Sequence, residues 1–521
     1  FASKSAVKKE DIPAATQLFT PRWIVEYMVQ NTVGKLWLQN RPSSHIREHM
    51  PYYIESESGS TTDYLKLESI EDLKLLDQAC GSGHILVYGF ELLYKIYEEE
   101  GYSPDEIPQL IIEKNLYGLE IDERAAQLAG FALMMKARGY HRRFFRREVK
   151  PNIKCFSDLT LGADEVKAIF KELHIPLSET LEEDLDLCRQ ATNLGSLIQP
   201  QTPLETLEEI NNLLTGKLET SNLFSQSTIQ ELQRTISQLI PLRKKYHCVV
   251  DNPPYLGSRK MNKDLSIWLK CNGYSDVSRD LYSSFIKRGM YQIEEHGFLG
   301  MITQISWMFT TDFIKFREVF IPNYTLESAI ILGSGTFDTI KGEVVKSTSF
   351  IINKKLSDVE TVFVDVTGYN DKVLGFKNGR RYFRKLKTYL SLESKYFAYK
   401  LDKEAVHKIS KSKYISEFLS VKQGLATGNN DKFIRCFWEI ETNKFKSDLT
   451  KYSIPYKWIP YDKGGGYKKY YGNDLYVIDW INDGEKIKNF NGSVIRNQSF
   501  YFKEGFTFNL TGKISFRYKN K

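Results

Sequence analysis

A short apolar segment that runs through a glycine-containing turn into a helical pattern constrains the fold of this chain more than any other feature. Leu73–Leu76 is predicted to be a buried strand, the turn spans Asp77–His84, and Ile85–Leu93 has the apolar spacing of a helix. Strand, glycine turn and helix form the nucleotide-binding start of a Rossmann-like α/β sheet. A dinucleotide site needs a third glycine three residues after Gly83, and Leu86 stands there, which argues against NAD.

Several polar groups at the ends of predicted strands are candidates for ligand binding. Gly81 and Gly83 let the backbone approach a ligand closely, and Asp77 can bind its polar end, although a lone Gly-x-Gly is more often an ordinary turn. Glu120 ends the second predicted strand, where it is placed to hold ribose hydroxyls or is simply a solvated loop carboxylate. Asp158 follows the third strand, and it either accepts a hydrogen bond from an adenine amine or caps the next helix.

A fourth apolar strand, Tyr246–Val250, ends in an unusual turn. Two successive prolines, Pro253 and Pro254, end the strand and leave a rigid, extended segment. Asn252 and the bare carbonyls then supply hydrogen-bond acceptors beside the Tyr255 ring, at the sheet edge where α/β folds bind ligands. Acceptors next to a flat ring suit a planar base with an exocyclic amine. The alternative is a tight Pro-Pro turn with Tyr255 packed in the core.

A helix is predicted to start upstream, near residue 20. Thr20 is the expected N-cap and Pro21 the expected first helical residue. A helix N-terminus binds carboxylates well, so this one could hold the carboxylate of an amino-acid-bearing cofactor. The alternative is an ordinary cap.

Composition sets limits on the class of protein. A chain of 521 residues is too long for one core, which favours two to four domains. The net charge of +7 permits a nucleic-acid partner without requiring one. The six cysteines form no C-x-x-C pair, so neither a zinc site nor a disulfide framework is indicated and a reducing compartment is expected. No apolar run of about 18 residues occurs, so we expect a soluble cytoplasmic protein. We also expect the chain to be part of something longer.

Taken together and in this order, these motifs resemble those of the γ-class of S-adenosyl-L-methionine (SAM)-dependent DNA adenine-N6 methyltransferases. The matching segments are Phe19-Thr20-Pro21, Asp77 to Gly83, Gly118 to Asp122, and Asn252-Pro253-Pro254-Tyr255. Segments 280–285 and 297–303 fit as well, and the stretch 335–350 resembles a late motif in which Phe337 matches the aromatic that packs on the target base.

The resemblance extends to the methyltransferases of BREX phage-defence systems. It is carried by segments 10–21, 423–433 and 458–465, some of which related restriction–modification enzymes share. Gln78 departs from the pattern, because the family usually has proline there. We expect this change to loosen the loop slightly without inactivating it.

The resemblance implies an α/β fold: a Rossmann-like SAM-dependent methyltransferase sheet with a helical insertion, plus a C-terminal mixed α/β target-recognition region. It implies SAM as cofactor and a cofactor site formed by Thr20, Asp77, Ala79, Gly81, Gly83, Glu120 and Asp158. It implies a catalytic set of Asn252, Pro253, Pro254, Tyr255 and Phe337. The implied partner is double-stranded DNA. Other phage-defence proteins and a phage DNA-mimic inhibitor are further candidates, since an acidic mimic would suit a basic groove.

The implied reaction is methyl transfer to adenine N6. The Asn252 side-chain oxygen and the Pro253 carbonyl would accept the two amine N–H bonds and direct the nitrogen lone pair at the methyl group. Tyr255 and Phe337 would sandwich the extruded base and offset the cost of unstacking it.

The predicted organisation is a split catalytic domain. Residues 1–60 form a helical N-terminal region with the Phe-Thr-Pro motif, and 61–160 with 246–370 form the catalytic domain. Residues 161–245 show leucines at helical spacing and are a helical insertion in which we find no catalytic residue. Residues 371–400 are a connector, and 401–521 begin the target-recognition domain.

Two rival functions remain open. Asn-Pro-Pro-Tyr also occurs in protein-glutamine and RNA methyltransferases, and N4-cytosine is a nearer rival that the motif order and Tyr255 disfavour. The aromatic C-terminal region favours DNA. Alternatively, the chain is the DNA-reading subunit of a defence complex with weak or partner-dependent methylation, or a type II restriction–modification methyltransferase.

Overall fold

The computed structural model of the protein describes residues 20–55, 63–218, 223–336, 346–355, 359–441, 444, 456–463, 467–468, 470–508 and 516–519. The chain divides into two compact units, residues 1–411 and residues 412–521.

A mixed sheet, nine-stranded in the described residues, forms the centre of the first unit. Its strands are β1 (Leu75–Asp77), β2 (Leu116–Glu120), β3 (Asn152–Cys155), β4 (Tyr246–Asp251), β5 (Ile293–Gln304), β6 (Thr325–Gly333), β7 (Ser347–Asn353), β8 (Thr361–Asp365) and β9 (Arg380–Arg384). They lie in the order β3-β2-β1-β4-β5-β7-β6-β8-β9. The strands from β3 to β5 pair in parallel, whereas β7 runs antiparallel to β5 and β6. The expected Rossmann-like α/β sheet is therefore confirmed.

Helices connect and cover these strands. Those of the first unit are α1 (Arg22–Val29), α2 (Lys35–Asn40), α3 (His84–Glu99), α4 (Ile107–Leu110), α5 (Glu123–Tyr140), α6 (Ala163–Glu172), α7 (Glu179–Leu187), α8 (Ala191–Leu194), α9 (Leu204–Leu218), α10 (Leu223–Arg243), α11 (Lys263–Cys271), α12 (Leu281–Gln292), α13 (Ser306–Phe309), α14 (Ile314–Asn323), α15 (Lys372–Asn378) and α16 (Lys403–Lys411).

The central strands are buried because their sequences are apolar without alternation. Leu75 and Leu76 in β1, and Cys248, Val249 and Val250 in β4, are fully enclosed. Continuous apolar runs of this kind are typical of parallel strands covered on both faces. The carboxyl ends of β1, β2 and β4 therefore meet at one sheet edge, which positions the residues that follow them.

Helices α6 to α10 form the predicted insertion between β3 and β4. Leucines at helical spacing bury one face of each helix, as Leu181, Leu185, Leu207 and Leu214 show. Leu213, which the spacing includes, is instead exposed. The helical insertion expected in the fold is confirmed.

The second unit is a small mixed α/β structure. Its sheet has the order β10-β12-β11, and a separate two-stranded ribbon pairs β13 with β14. The elements are α17 (Asn430–Phe433), β10 (Ile434–Cys436), β11 (Trp458–Tyr461), β12 (Tyr476–Asp479), α18 (Ile481–Lys488), β13 (Gly505–Phe508) and β14 (Phe516–Lys519). A compact core gathers around Trp480 and Ile478.

Two local expectations differ from the structure. The first helix begins at Arg22, so Pro21 rather than Thr20 occupies its N-cap, with an extended ψ of 137° and no side-chain cap. Pro21 lacks an N–H and adopts this extended conformation readily, which delays the helix by one residue. Within the segment expected to be a connector, Arg380–Arg384 forms β9 and pairs with β8. None of the helices in the described part of the chain has the length and hydropathy that a membrane span requires.

Candidate active site

A cavity opens at the carboxyl edge of the parallel strands and brings most of the predicted ligand-binding residues together. Its lining includes the sequence-predicted Thr20, Asp77, Ala79, Gly81, Glu120, Asn252 and Pro254. These residues come from segments that are widely separated in sequence: Thr20 precedes α1, and the others lie at or just after the carboxyl ends of β1, β2 and β4. The fold therefore unites the predicted cofactor loop and the predicted acceptor motif around one space.

The glycine loop after β1 adopts a conformation that requires glycine. Gly81 and Gly83 have positive φ values of 51° and 83°. A Cβ on Gly83 would lie 3.1 Å from the backbone of Ala129 in α5, so this position also needs glycine for close packing. A Cβ on Gly81 would meet nothing within 4 Å, which leaves open space beside its backbone. That space belongs to the cavity, which Gly81 lines.

Glu120 fixes the loop and at the same time lines the cavity. One carboxylate oxygen accepts the Gly81 N–H at 2.8 Å, and the other accepts the N–H groups of Ile121 and Asp122 at 2.8 and 3.0 Å. Burial raises the pKa of Glu120, and these three donors oppose that rise. The carboxylate is thus held in a fixed orientation at the end of β2.

Two acidic side chains, Asp77 and Asp251, lie side by side at the ends of β1 and β4. Burial raises the pKa of Asp251 well above its usual range, and the charge on Asp77 raises it further. Burial also raises the pKa of Asp77, which the Ala79 N–H opposes by donating to its Oδ1 at 3.2 Å. Two carboxyls so close and so buried do not ionise together, so the pair retains a proton when either of them is charged.

The Asn-Pro-Pro-Tyr turn follows β4, with Asn252 and Pro254 on the cavity lining and Pro253 buried. The Tyr255 ring is packed in the core and only 5% exposed. Its hydroxyl donates to the Ile302 carbonyl at 3.1 Å, and its ring meets Tyr282 edge to face. This geometry matches the alternative in which Tyr255 packs in the core. The role of the Tyr255 ring in stacking on a base stays a prediction.

The loop after this turn is anchored by Asp280, the residue before α12. Its Oδ1 accepts the Leu256 N–H at 3.0 Å, and Gly257 forms a β-bridge with it. Burial raises the pKa of Asp280 to about 6, while its contacts with backbone N–H groups lower it. Asp280 was not predicted as a functional residue, although it starts a segment that the resemblance includes.

Two other predicted residues do not join this cavity. Asp158 accepts the backbone N–H and the hydroxyl of Thr192 at 2.8 and 3.0 Å, and it is absent from the cavity lining. Gly83 shapes the loop without lining the cavity. Phe337 lies outside the described residues. The roles assigned to these three positions stay predictions.

The inserted helical region contributes a wall that the sequence did not reveal. Residues 193–197, from α8 and the 3-10 turn Gly195–Leu197, line the cavity and contact the glycine loop. The Ser196 hydroxyl donates to the Gln78 carbonyl at 2.5 Å, while the Gln78 side-chain N–H donates to Gln292 Oε1 at 2.5 Å. At the position where the family usually has proline, Gln78 therefore forms a buried hydrogen bond with Gln292. The five residues 193–197 carry no recognisable motif, so only the tertiary fold shows this contact.

The described residues contain neither a candidate metal site nor a disulfide. Among the described residues, no group of three or more His, Cys, Asp or Glu side chains is arranged to hold a metal ion. All six cysteines, which the structure describes, are free thiols.

The chain is similar to known methyltransferases. Residues 114–337 match the family described as Eco57I restriction-modification methylase. It is 35% identical over 558 residues to the adenine-specific methyltransferase BrxX of Escherichia coli O9:H4 (strain HS), across 99% of this chain and 45% of that protein. It is 33% identical over 555 residues to the adenine-specific methyltransferase PglX of Lacticaseibacillus casei (strain Zhang), across 99% of this chain and 46% of that protein.

The chain spans just under half the length of these two relatives. Among solved structures, it is similar to an ATP-dependent Type ISP restriction-modification enzyme, LlaBIII bound to DNA. That match has a TM-score of 0.40 and 15% identity, and it covers 69% of this chain and 20% of that one.

Proposed function

We propose that the chain is the catalytic part of a site-specific DNA methyltransferase that transfers a methyl group from SAM to adenine N6. The observation that carries the proposal is the shared cavity, which the glycine loop, Glu120, Asn252 and Pro254 all line. A donor and an acceptor bound at these two places would meet inside one enclosed space, and such positioning supplies much of the catalysis of a group transfer.

The residues on the cofactor side fit SAM. SAM supplies an electrophilic methyl group on a positively charged sulfur, so a site with retained negative charge suits it. Glu120 can provide that charge, because three backbone N–H groups donate to its carboxylate. Glu120 can accept ribose hydroxyls through a carboxylate that the backbone already orients, and the space beside Gly81 lets a ligand approach the backbone.

The acceptor side suits an exocyclic amine. The Asn252 side-chain oxygen and the Pro253 carbonyl would accept the two N–H bonds of adenine N6. Acceptors fixed by a rigid Pro-Pro turn stabilise the positive charge that develops on the nitrogen without reorganising. No group with a shifted pKa is needed to remove a proton before attack.

The charge distribution supports DNA as the substrate. Residues 412–521 contain 19 Lys and Arg against 11 Asp and Glu, so this unit carries the excess positive charge of a chain whose total is +7. The same unit exposes many aromatic side chains, among them Tyr470, Tyr471, Phe506 and Phe516. Basic charge with exposed aromatics is typical of surfaces that bind nucleic acid. We therefore propose that this unit contains the start of the target-recognition region.

The proposed setting is BREX-type phage defence in the cytoplasm, where methylation would mark host DNA. The resemblance of segments 423–433 and 458–465 to the BREX methyltransferases supports it. Other defence proteins and a phage-encoded acidic DNA mimic are the proposed partners, because both would meet the basic second unit.

Methyl transfer from labelled SAM to unmethylated DNA tests the proposal. Wild type and Asn323→Ala, a matched change at an exposed asparagine in α14, are expected to label adenine N6, and Asn252→Ala is expected not to. Transfer that survives in Asn252→Ala would overturn the acceptor assignment. SAM binding without any transfer by wild type would instead favour a DNA-reading subunit, and label on RNA, protein or cytosine would identify a different acceptor.

A further inference from the structure

The inserted helical region holds two catalytic segments together through one short piece of chain. We call Ala191–Leu197 the bridging segment. Its residues 193–197 form one wall of the cavity, so a ligand bound there would touch it. Three hydrogen bonds fix the segment to other parts of the fold. The Thr192 N–H donates to Asp158, the Tyr274 hydroxyl donates to the Leu197 carbonyl at 2.8 Å, and the buried Arg288 donates to the Ser196 carbonyl at 2.7 Å.

The conformation of the bridging segment is unusual and tightly packed. Gly195 has φ 52° and ψ −133°, a combination that side chains rarely allow. A Cβ on Gly195 would lie 2.9 Å from Ile121 Cγ2. Ile121 lines the same cavity and follows Glu120, the predicted ribose ligand. The segment is therefore packed directly against the cofactor side of the cavity.

The same segment contacts the loop on the acceptor side. The Asn262 side-chain N–H donates to Asn193 Oδ1 at 2.7 Å, while Asn262 Oδ1 accepts the Leu265 N–H at 2.9 Å as the N-cap of α11. Asn262 ends the loop 256–262 that follows Asn-Pro-Pro-Tyr, and Asp280 fixes the start of this loop. Asn193 thus belongs to the cavity wall and also holds the far end of the acceptor loop.

We propose that Asn193 is a positioning residue that couples occupancy of the cavity to the placement of loop 256–262, an inference that rests on the proposed SAM-dependent function. A ligand against the bridging segment restricts Asn193, and Asn193 restricts the loop through Asn262. Because the ligand and the loop both restrict Asn193, each affects the other reciprocally. A correctly placed loop therefore also favours ligand binding in the cavity. The coupling would assemble the acceptor side only when the methyl donor is present.

Limited trypsin digestion tests the coupling, because the loop carries Arg259, which is exposed, and Lys260, which is partly exposed. Cleavage after these residues is followed by mass spectrometry with and without saturating SAM. Cleavage after Arg146, an exposed residue between α5 and β3, reports any general change in stability. In wild type, SAM is expected to slow loop cleavage about fivefold, in the range of ordinary allosteric coupling, and to leave Arg146 cleavage unchanged.

Two variants remove the link from opposite sides. Asn193→Ala removes the acceptor, and Asn262→Ser removes the donor while serine still caps α11. Both are expected to lose the protection by SAM. Because the coupling is reciprocal, Asn262→Ser is also expected to raise the Kd for SAM, by no more than about fivefold. The double variant is expected to resemble either single one, because residues that act through one bond are not additive. The kcat for methyl transfer at saturating SAM is expected to fall in Asn262→Ser.

The outcomes separate this inference from the proposed function. SAM binding by wild type without protection of the loop, or protection that persists in both variants, overturns the coupling alone. Wild type that fails to bind SAM overturns the proposed function and the coupling with it.

Discussion

The backbone N–H of Gly81 donates a hydrogen bond of 2.8 Å to the carboxylate of Glu120. This contact joins the glycine loop after β1 to the end of β2, so Glu120 shapes the loop as well as lining the cavity. Two of its three backbone donors belong to its own turn, Ile121 and Asp122. Replacing the Glu120 carboxylate with a neutral amide therefore weakens these hydrogen bonds, because a charged acceptor forms stronger hydrogen bonds than a neutral one.

Glu120→Gln is expected to raise the Kd for SAM about tenfold or more, because hydrogen bonds to a charged group contribute about 1.5–3 kcal/mol. Glu123→Gln changes an exposed carboxylate three residues further on and is the matched control. Isothermal titration calorimetry with both variants measures the effect. Equal affinity for SAM in the two variants would contradict the role of Glu120.

Asp251→Asn is expected to remove part of the pH dependence of stability. Burial and the neighbouring Asp77 charge raise the pKa of Asp251 in the folded chain, whereas an unfolded Asp ionises near about 4. Above that pH the native state keeps a proton that the unfolded state loses, so stability falls as the pH rises. Asparagine cannot ionise, so Asp251→Asn does not lose stability in this way as the pH rises.

Denaturant unfolding of wild type and Asp251→Asn at several values between pH 5 and pH 8 measures this effect. The variant is expected to gain free energy of unfolding relative to wild type as the pH increases. Asp280, whose pKa burial also raises, remains in both proteins and cancels in the comparison. Parallel stability profiles would show that Asp251 ionises normally.

The sequence predicted the sheet because its physical signals are local. Leu75 and Leu76 belong to a continuous apolar run, which indicates a buried strand. Gly81 and Gly83 indicate the turn that follows, because glycine readily adopts the positive φ values found there. Asp77, Glu120 and Asn252 follow strands directly, so knowledge of parallel pairing was enough to bring them to one edge.

The rest of the site depends on contacts that no local pattern encodes. Thr192 is 34 residues from Asp158, and Asn262 is 69 residues from Asn193, yet each pair forms a short hydrogen bond. The sequence of the insertion shows no catalytic residue, because its leucine spacing describes only how its helices bury one face. Its contribution to the cavity arises where the helices stop, at Gly195.

Tyr255→Phe is expected to lower the free energy of unfolding by about 1 kcal/mol, the usual net contribution of one hydrogen bond, because the variant loses the bond to the Ile302 carbonyl. Its ring still fills the space beside Tyr282, so methyl transfer is expected to continue. Urea unfolding and the kcat for methyl transfer are measured on the same preparation. A large fall in kcat at unchanged stability would instead give the hydroxyl a direct role in the reaction.

The ribbon formed by β13 and β14 has two unlike faces. Phe506 is paired directly with Tyr518, and Phe508 with Phe516, so these four rings share one face. All four are exposed, with Phe506 58% accessible. Arg517 points to the other face, where it is fully buried and donates to the Gly472 carbonyl at 3.2 Å. Monomeric proteins rarely expose a contiguous aromatic face unless it binds something.

Because this ribbon belongs to the strongly basic second unit, we expect its aromatic face to contact bases of DNA. The double variant Phe506→Ala/Phe516→Ala is expected to raise the Kd for DNA on the order of tenfold, since stacking on one aromatic ring contributes about 1–3 kcal/mol per base. Thr507→Ala, paired with Arg517 on the opposite face, is the control and is expected to bind DNA as wild type does. Fluorescence anisotropy with a labelled single-stranded oligonucleotide, repeated at two salt concentrations, separates stacking from charge, because phosphate contacts weaken with salt whereas stacking depends on it far less. If the double variant binds DNA as tightly as wild type and remains folded, the aromatic face does not contact DNA.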